Sequence, residues 1–431
     1  MTGTVYAQEE GFEAPPSEAE AGFRFQIDFE VKAHFRSSEE VVVRTSRDDP
    51  DAPMLGLSLT TVDPGEHFEI STATLLADAF WGGPSGTQAH LKLDLIDRYE
   101  RNPTSTDREV DVDELWLRFG REHQPGELAE QRGAYLKVGK FGHFERQDER
   151  HLESYGLAST TFNRLEDVGL EVGFDVHQNV YIKLSATQGN PVFFRDPNAL
   201  AGDVGASLLT PSTRQLGGGL GQIYDAEVED FDLDGNLELG AGLGLRFGDE
   251  VGNRAVDILL WGYERELEPT VELRGSSIGG DLELLLGPDP GSQPLAVTDD
   301  RKRELGVSIW LYWDALSCFG QYVDSDLAGL PRRAFEVEAA YLFELPYRWQ
   351  AAGQQLLPSI APVVRYSRLF NDFEHPPVTA LPSLAWDWYK LDLGLRAELI
   401  EGLDLTFEYA FNHGYLTDNN ETLVTLRWAQ R

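Results

Sequence analysis

The sequence lacks a long apolar run, although 41% of its 431 residues are hydrophobic. A helix needs about 20 consecutive apolar residues to cross a bilayer, and no such stretch occurs. The mean hydropathy of −0.33 agrees with this reading. The sequence therefore excludes a helical membrane protein. It does not exclude a protein whose strands alternate apolar and polar side chains across a bilayer.

Cysteine and basic residues are also scarce. Cys318 is the single cysteine, so no disulfide can form within the chain. Lys and Arg number 36 against 73 Asp and Glu, which leaves a formal charge of −37. This charge excludes a general nucleic-acid partner, because phosphate backbones are bound by basic surfaces. The nine His are scattered without the spacing of a zinc site, and no Gly-rich phosphate loop is present.

A strict alternation of side chains is what the sequence does have. Residues 22–36 read GFRFQIDFEVKAHFR, in which Phe25, Ile27 and Phe29 are interleaved with charged and polar residues. Successive side chains of a strand point to opposite faces. This segment therefore predicts a strand with an apolar medium on one side and water on the other.

The same alternation recurs along most of the chain. It predicts an all-β fold, a single transmembrane antiparallel β-barrel of about 16 strands, closed because lipid does not tolerate an open sheet edge. The abundance of glycine (42) and aromatic residues (11%) agrees with turns and interfacial belts. After the first strand, further strands are predicted at 68–80, 91–96, 114–120, 134–141, 168–175, 180–185, 237–247, 255–265, 270–286, 304–314, 316–324, 334–345, 359–369, 391–399, 403–411 and 422–430.

Two segments fall outside the strand pattern. Residues 1–21 are acidic and Pro-rich, and we expect a signal remnant, with Val5-Tyr6-Ala7 as its cleavage site, or a flexible acidic tail. The domain 22–431 is then the barrel. Residues 189–235 form a long loop with several Pro and Gly, and such a loop is expected to be functional or disordered. We expect this loop to lie on the extracellular side and to be the candidate for folding into the lumen.

Three stretches carry a family resemblance. They are GAYLKVGKFGHFERQDERHLESYGL from residue 133, LEDVGLEVGFDVHQNVYIKLSATQGNP from residue 165, and the terminal ETLVTLRWAQR. They resemble the phosphate-selective (O/P-type) porins of Gram-negative outer membranes. The resemblance implies the barrel fold, a porin role, outer-membrane lipid, lipopolysaccharide and the barrel-insertion machinery as partners, and a homotrimer. The family's basic pore ladder and aromatic last residue are missing, so phosphate is not carried over as the substrate.

Two short motifs point to other chemistry. Asp230, Asp232 and Asp234 precede Gly235 as in a calcium loop, but Ala241 stands where the bidentate Glu should be. The alternative is a solvated acidic loop end, and no cofactor other than calcium is expected. Gly275-Ser276-Ser277-Ile278-Gly279 matches a nucleophile elbow, but a strand-like run follows instead of a helix. We expect a turn there and no enzyme.

The polar faces of the predicted strands supply the candidate site. Their charged residues would line the lumen and set its ion preference, or would only pair across strands and solvate the wall. The sequence thus predicts a water-filled channel for small hydrophilic solutes or ions. Because acidic residues outnumber basic ones, we expect the channel to prefer cations. The alternatives are a substrate-specific saccharide or anion barrel, an outer-membrane barrel enzyme and a soluble β protein. The candidate pore-lining residues are Lys92, Asp94, Arg118, Lys137, Glu171, Lys183, Arg246, Arg396, Glu398 and Glu408.

Overall fold

The structure is a computed structural model, and it describes most of the chain from residue 22 to residue 430. The described residues are 22–39, 42–44, 58–60, 65–82, 86–97, 110–123, 125, 133–146, 150–162, 166–189, 236–248, 254–267, 298–346, 349–351, 353–373, 387–414 and 418–430. The predicted tail 1–21, nearly all of the long loop 189–235 and the predicted strand 270–286 lie outside these residues.

The described residues form a barrel of 16 antiparallel strands. The strands are β1 Arg24–Ser38, β2 Gly65–Trp81, β3 Thr87–Asp97, β4 Asp111–Gly120, β5 Ala134–Gly142, β6 Glu166–His177, β7 Val180–Thr187, β8 Glu238–Gly248, β9 Arg254–Glu266, β10 Arg301–Trp313, β11 Leu316–Leu327, β12 Leu330–Tyr341, β13 Ser359–Asn371, β14 Trp388–Ile400, β15 Leu403–His413 and β16 Asp418–Gln430. One helix, α1, spans Leu157–Thr161. Among the described residues, no helix has the length and apolar character to cross a membrane.

The sheet closes between its first and last strands. Strand β1 pairs with β2, where Phe25 lies opposite Ala79, and also with β16, where Val31 lies opposite Trp428. Every other strand pairs with its two sequence neighbours. Each strand of the barrel therefore has its backbone hydrogen-bonding groups satisfied on both sides, which is the condition for spanning lipid.

The two faces of the wall differ as the alternation predicts. On β1, Phe25 and Ile27 on one face are 55% and 59% exposed. On the opposite face, Asp28 and His34 are only 8% and 1% exposed. The outward band continues around the barrel with Leu, Phe, Val and Ile side chains, including Leu243, Leu260, Leu305, Val337, Leu393, Phe407 and Leu426. An apolar outer band around a charged interior is typical of outer-membrane barrels.

The two ends of the barrel carry different connections. The end that holds the start of β1 and the end of β16 has two-residue turns after β6, β10 and β14. The opposite end carries the longest connections, such as those after β1, β5, β7 and β9. It also has two short ones: Ala328 and Gly329, both at positive φ, join β11 to β12, and residues 414–417 join β15 to β16. By the rule for such barrels, the first end is periplasmic and the second extracellular.

Candidate functional site in the barrel lumen

A connection from the extracellular end folds into the barrel. Residues 143–146 and 150–162 follow β5 and bond to inward-facing side chains of strands far along the wall. The Tyr263 hydroxyl on β9 donates to Glu145 at 2.6 Å. The Glu145 main-chain carbonyl accepts from Ser308 on β10 at 3.4 Å and from Gln321 on β11 at 3.1 Å. The described residues 143–146 and 150–162, called the inward segment below, therefore lie across the lumen.

The middle of the inward segment is fixed to the opposite wall by buried charges. Arg365 on β13 donates to the Ser154 carbonyl at 2.7 Å and to the Ser154 hydroxyl at 2.6 Å. Lys390 on β14 donates to the Tyr155 carbonyl at 2.6 Å. Glu408 on β15 accepts the main-chain N–H groups of Glu153 and, at 3.2 Å, Ser154. Because the charged side chains bond to main-chain groups, they fix the position of the segment itself.

Helix α1 then packs on an apolar patch of the inner wall. Leu157, Ala158 and Phe162 form one buried cluster with inward side chains of strands β9 to β14. The wall members of this cluster include Trp261, Trp310, Phe319, Leu369 and Trp388. Since burial of such side chains is worth about 1.5–3 kcal/mol each, the cluster adds an apolar contribution to the charged contacts that hold the segment in place.

The inner side chains divide into dry and wet groups. Arg365, Glu338 and Lys390 under the inward segment have no exposed side-chain surface. By contrast, Lys32 on β1 and Lys92 on β3 are each 21% exposed, and Asp404 on β15 is 20% exposed. The more exposed inner side chains therefore lie on β1, β3 and β15, and Lys32 also pairs with Glu153 of the inward segment at 2.9 Å.

All ten predicted pore-lining residues lie on the inner face, and they form local ion pairs and hydrogen bonds. Lys92 pairs with Asp113 at 2.7 Å, Arg246 with Asp175 at 3.3 Å and Arg396 with Asp404 at 2.7 Å. Asp94 accepts from Thr74, Glu171 from Tyr135 and Glu398 from Ser359. Glu408 bonds to the inward segment, and Arg118, Lys137 and Lys183 converge on Glu122. Their part in ion selection stays a prediction.

Sequence reasoning missed the inward segment, although a signal was present. Strand β9 is apolar on both faces, with Leu259 and Trp261 inward and Ile258 and Leu260 outward. A strand that lines open water needs only one apolar face, so this run indicates that another part of the chain covers its inner side. The long loop 189–235, which we expected to fold inward, lies outside the described residues.

A charged cluster fixes the start of the inward segment. The His143 Nε2 lies 3.3 Å from Asp167 on β6, and its Nδ1 lies 3.9 Å from Glu145 and 4.0 Å from Glu238 on β8. Burial alone would lower the pKa of His143, but the hydrogen bond to Asp167 and the surrounding carboxylates outweigh it and raise the pKa to about 9. The imidazole is therefore charged at neutral pH and offsets part of the acidic charge around it.

The predicted calcium ligands Asp230, Asp232 and Asp234 and the motif around Ser277 lie outside the described residues. Within them, Asp113, Glu114 and Glu166 bring carboxylate oxygens within 4.8 Å of one another. Lys92 bonds to Asp113, the Trp116 indole donates to Glu114 at 2.9 Å, and Arg146 pairs with Glu166. Asp113 and Glu166 thus already pair with cations of the chain. Calcium binding at Asp230, Asp232 and Asp234 stays a prediction.

Comparison with solved structures identifies the fold. The chain is similar to the outer membrane channel DcaP of Acinetobacter baumannii, with a TM-score of 0.55 and 11% identity over 95% of this chain and 98% of that one. It is also similar to OprB of Pseudomonas putida, with a TM-score of 0.51 and 9% identity over 96% and 95% of the two chains. A loop-deletion variant of OmpT, an outer membrane protein of Vibrio cholerae, gives 0.50 and 10% over 95% and 99%.

No protein-family model matches the chain. No curated protein matches it by sequence either. The chain has the fold of Gram-negative outer-membrane channels. The predicted resemblance to outer-membrane porins is thereby confirmed at the level of the fold, and membership of the phosphate-selective family stays a prediction.

Proposed function

We propose that this protein is an outer-membrane channel through which small hydrophilic solutes or ions diffuse passively. One observation carries the proposal. The barrel has an apolar outer band and a charged inner face, and the inward segment covers only part of that inner face. A wall of this kind is stable between lipid and water, and the uncovered part provides an aqueous path.

The transport mechanism is passage along the wet side of the lumen. A solute would move past the more exposed inner charges, such as Lys92 on β3, Asp113 on β4 and Asp404 on β15. The width of the path follows from the number of strands and from the position of the inward segment. Transport needs no covalent step, and we propose no catalytic activity.

We further propose a preference for cations. The acidic balance of the chain, 73 Asp and Glu against 36 Lys and Arg, supports this proposal. Charges that line a pore bias the ions that enter it. The reversal potential across a planar bilayer with a potassium chloride gradient tests this proposal. Anion preference of the wild-type channel would refute it.

Single-channel recording of the detergent-purified protein tests the channel itself. We expect stepwise conductance that rises with salt concentration and is not blocked by sugars. Saturable block by one sugar or anion would favour a substrate-specific barrel instead. Absence of conductance from protein that is folded and inserted would refute the channel. Mass measurement in detergent tests the proposed homotrimer, which has support in a trimer form of the similar Vibrio cholerae OmpT.

A further inference from the structure

Glu122 is an acidic residue that the chain inserts among three inward-facing cations. It lies just after β4, at the periplasmic end. Its carboxylate lies 2.7 Å from the Lys183 ammonium on β7 and 2.9 Å from the Lys137 ammonium on β5. A guanidinium nitrogen of Arg118 on β4 lies 3.4 Å away, and the Tyr135 hydroxyl oxygen, which donates its proton to Glu171 at 2.6 Å, lies 3.2 Å away. Both carboxylate oxygens therefore bond to cationic groups of different strands.

The backbone directs Glu122 into this position. Gly120 has a φ of 89°, a conformation that residues with a side chain rarely adopt, and a Cβ there would overlap the Ala134 carbonyl. The following His123 pairs with Asp175 on β6 at 2.9 Å, and Asp175 also pairs with Arg246 on β8 at 3.3 Å. Residues 121–123 are thus held inside the barrel, independently of the Glu122 contacts.

The charge balance shows what Glu122 does there. Arg118, Lys137 and Lys183 contribute three positive charges, and their side chains are only 10 to 13% exposed. Besides Glu122, the carboxylate of Glu171 lies 3.5 Å from Lys137. Without Glu122, three cations would face one anion. The excess charge would lie in a partly buried place where electrostatic interactions are stronger than in water.

Burial by itself would raise the pKa of Glu122. The charges of Lys137, Lys183 and Arg118 outweigh that effect and hold the pKa well below its usual range. The group is therefore a carboxylate at any working pH. A small cavity lined by Tyr135, Tyr181, Lys183 and Arg246 lies next to it.

We propose that Arg118, Lys137 and Lys183 form a carboxylate-binding site in the lumen and that the chain fills this site with its own Glu122. The tethered carboxylate suppresses anion binding at this point and makes Glu122 a determinant of ion preference. The proposal rests on the proposed channel function for its effect on transport, but the binding site itself does not depend on conduction.

Removal of the Glu122 side chain tests the site by chemical rescue. In Glu122→Ala, acetate supplies the missing carboxylate to the three cations. We expect acetate to raise the unfolding temperature of this variant in detergent by about 2 °C or more, and to leave the wild type unchanged. Sodium chloride at the same ionic strength is the comparison, and an equal response to chloride would overturn the carboxylate assignment.

Asp404→Ala is the matched control. Asp404 is also an inward carboxylate, and its ion pair joins it to one guanidinium, that of Arg396 at 2.7 Å. We expect no acetate rescue in this variant. If Glu122→Ala behaved like Asp404→Ala, Glu122 would be an ordinary cross-strand partner and the site proposal would fail. Glu122→Gln keeps the volume of the side chain and leaves no room for acetate, so no rescue is expected in it; where Glu122→Ala does not fold, Glu122→Gln tests the proposal through transport.

The effect of Glu122 on ion preference is measured in a separate transport experiment. In a potassium chloride gradient, we expect Glu122→Gln to raise the permeability of chloride relative to potassium by about twofold or more, because it removes a negative charge from a partly dry part of the lumen. An unchanged ratio in a conducting variant would overturn the role in selectivity. A wild-type protein that does not conduct would refute the channel and leave the acetate experiment valid.

Discussion

Arg365 donates a hydrogen bond of 2.7 Å to the main-chain carbonyl of Ser154, although 211 positions separate the two residues in the sequence. The same guanidinium lies 2.9 Å from Asp392 and 3.4 Å from Glu338. One fully buried cation thus bonds to a carboxylate on each of the two strands that flank its own and holds the inward segment against the wall.

We predict that Arg365→Ala releases the inward segment and enlarges the channel. The substitution leaves Glu338 and Asp392 buried with less compensation, so the unfolding free energy should fall by about 3–5 kcal/mol. Single-channel conductance should rise. Arg333→Ala is the control, because Arg333 pairs with Asp372 on the exposed surface at 2.7 Å and such pairs contribute little. Equal conductance of Arg365→Ala and wild type would contradict the prediction.

We predict that Tyr263→Phe weakens the barrel. The change removes the hydroxyl that donates to Glu145 at 2.6 Å and leaves a buried carboxylate with one hydrogen bond fewer. The expected loss is about 1–3 kcal/mol, measured by thermal unfolding in detergent. Tyr366→Phe is the comparison, since Tyr366 is 39% exposed on the outer face. Loss of the Tyr366 hydroxyl should change the unfolding temperature very little.

We predict that stability falls as pH rises through about 9. The pKa of His143 is raised from 6.5 to about 9 in the folded protein. A raised pKa contributes stability that is complete below about 6.5 and is lost as pH passes the folded value. The groups facing the imidazole are Asp167, Glu145 and Glu238, with the Tyr263 ring stacked on it at 4.8 Å.

The measurement is the unfolding temperature of the wild type and of His143→Gln between pH 6 and pH 9.5. The wild type should lose up to about 3 kcal/mol more than the variant across this range, because glutamine does not titrate. Parallel pH profiles of the two proteins would show that His143 is not the titrating group.

We predict that Leu260→Lys impairs insertion into liposomes. Leu260 lies in the middle of β9 on the outer face and is 52% exposed. A lysine facing lipid near the midplane of a barrel costs about 2–4 kcal/mol. Val110→Lys is the matched control, because Val110 is 61% exposed but lies outside the strands. If both variants inserted equally well, the outer band would not face lipid.

The sequence was sufficient to predict the wall of the barrel but not its contents. On β15, Phe407 and Phe411 face outward and Glu408 inward, as their alternation predicts. Alternation depends on neighbouring residues only, so it finds strands and assigns their faces. The pairing of Glu145 with Tyr263, 118 positions away, depends on how the closed sheet brings distant strands together. No local pattern encodes that relationship.

Glu122, at the periplasmic end of the barrel, is a second contact that strand alternation could not predict. Arg118, Lys137 and Lys183 were predicted to face inward from their own strands. Their common partner lies in a connection rather than in a strand, where the two-residue period does not apply. Only the closed structure shows that three strands point their cations at one carboxylate.

The bonds of the inward segment to strands β9 through β15 also have a mechanical consequence. A hollow cylinder of sheet flattens easily when it is squeezed from the side, since its hydrogen bonds need only bend. Here the inward segment links separate parts of the cylinder through its bonds to Tyr263, Arg365 and Glu408. The barrel therefore resists lateral pressure from the bilayer, and the lumen keeps its cross-section for as long as those bonds persist.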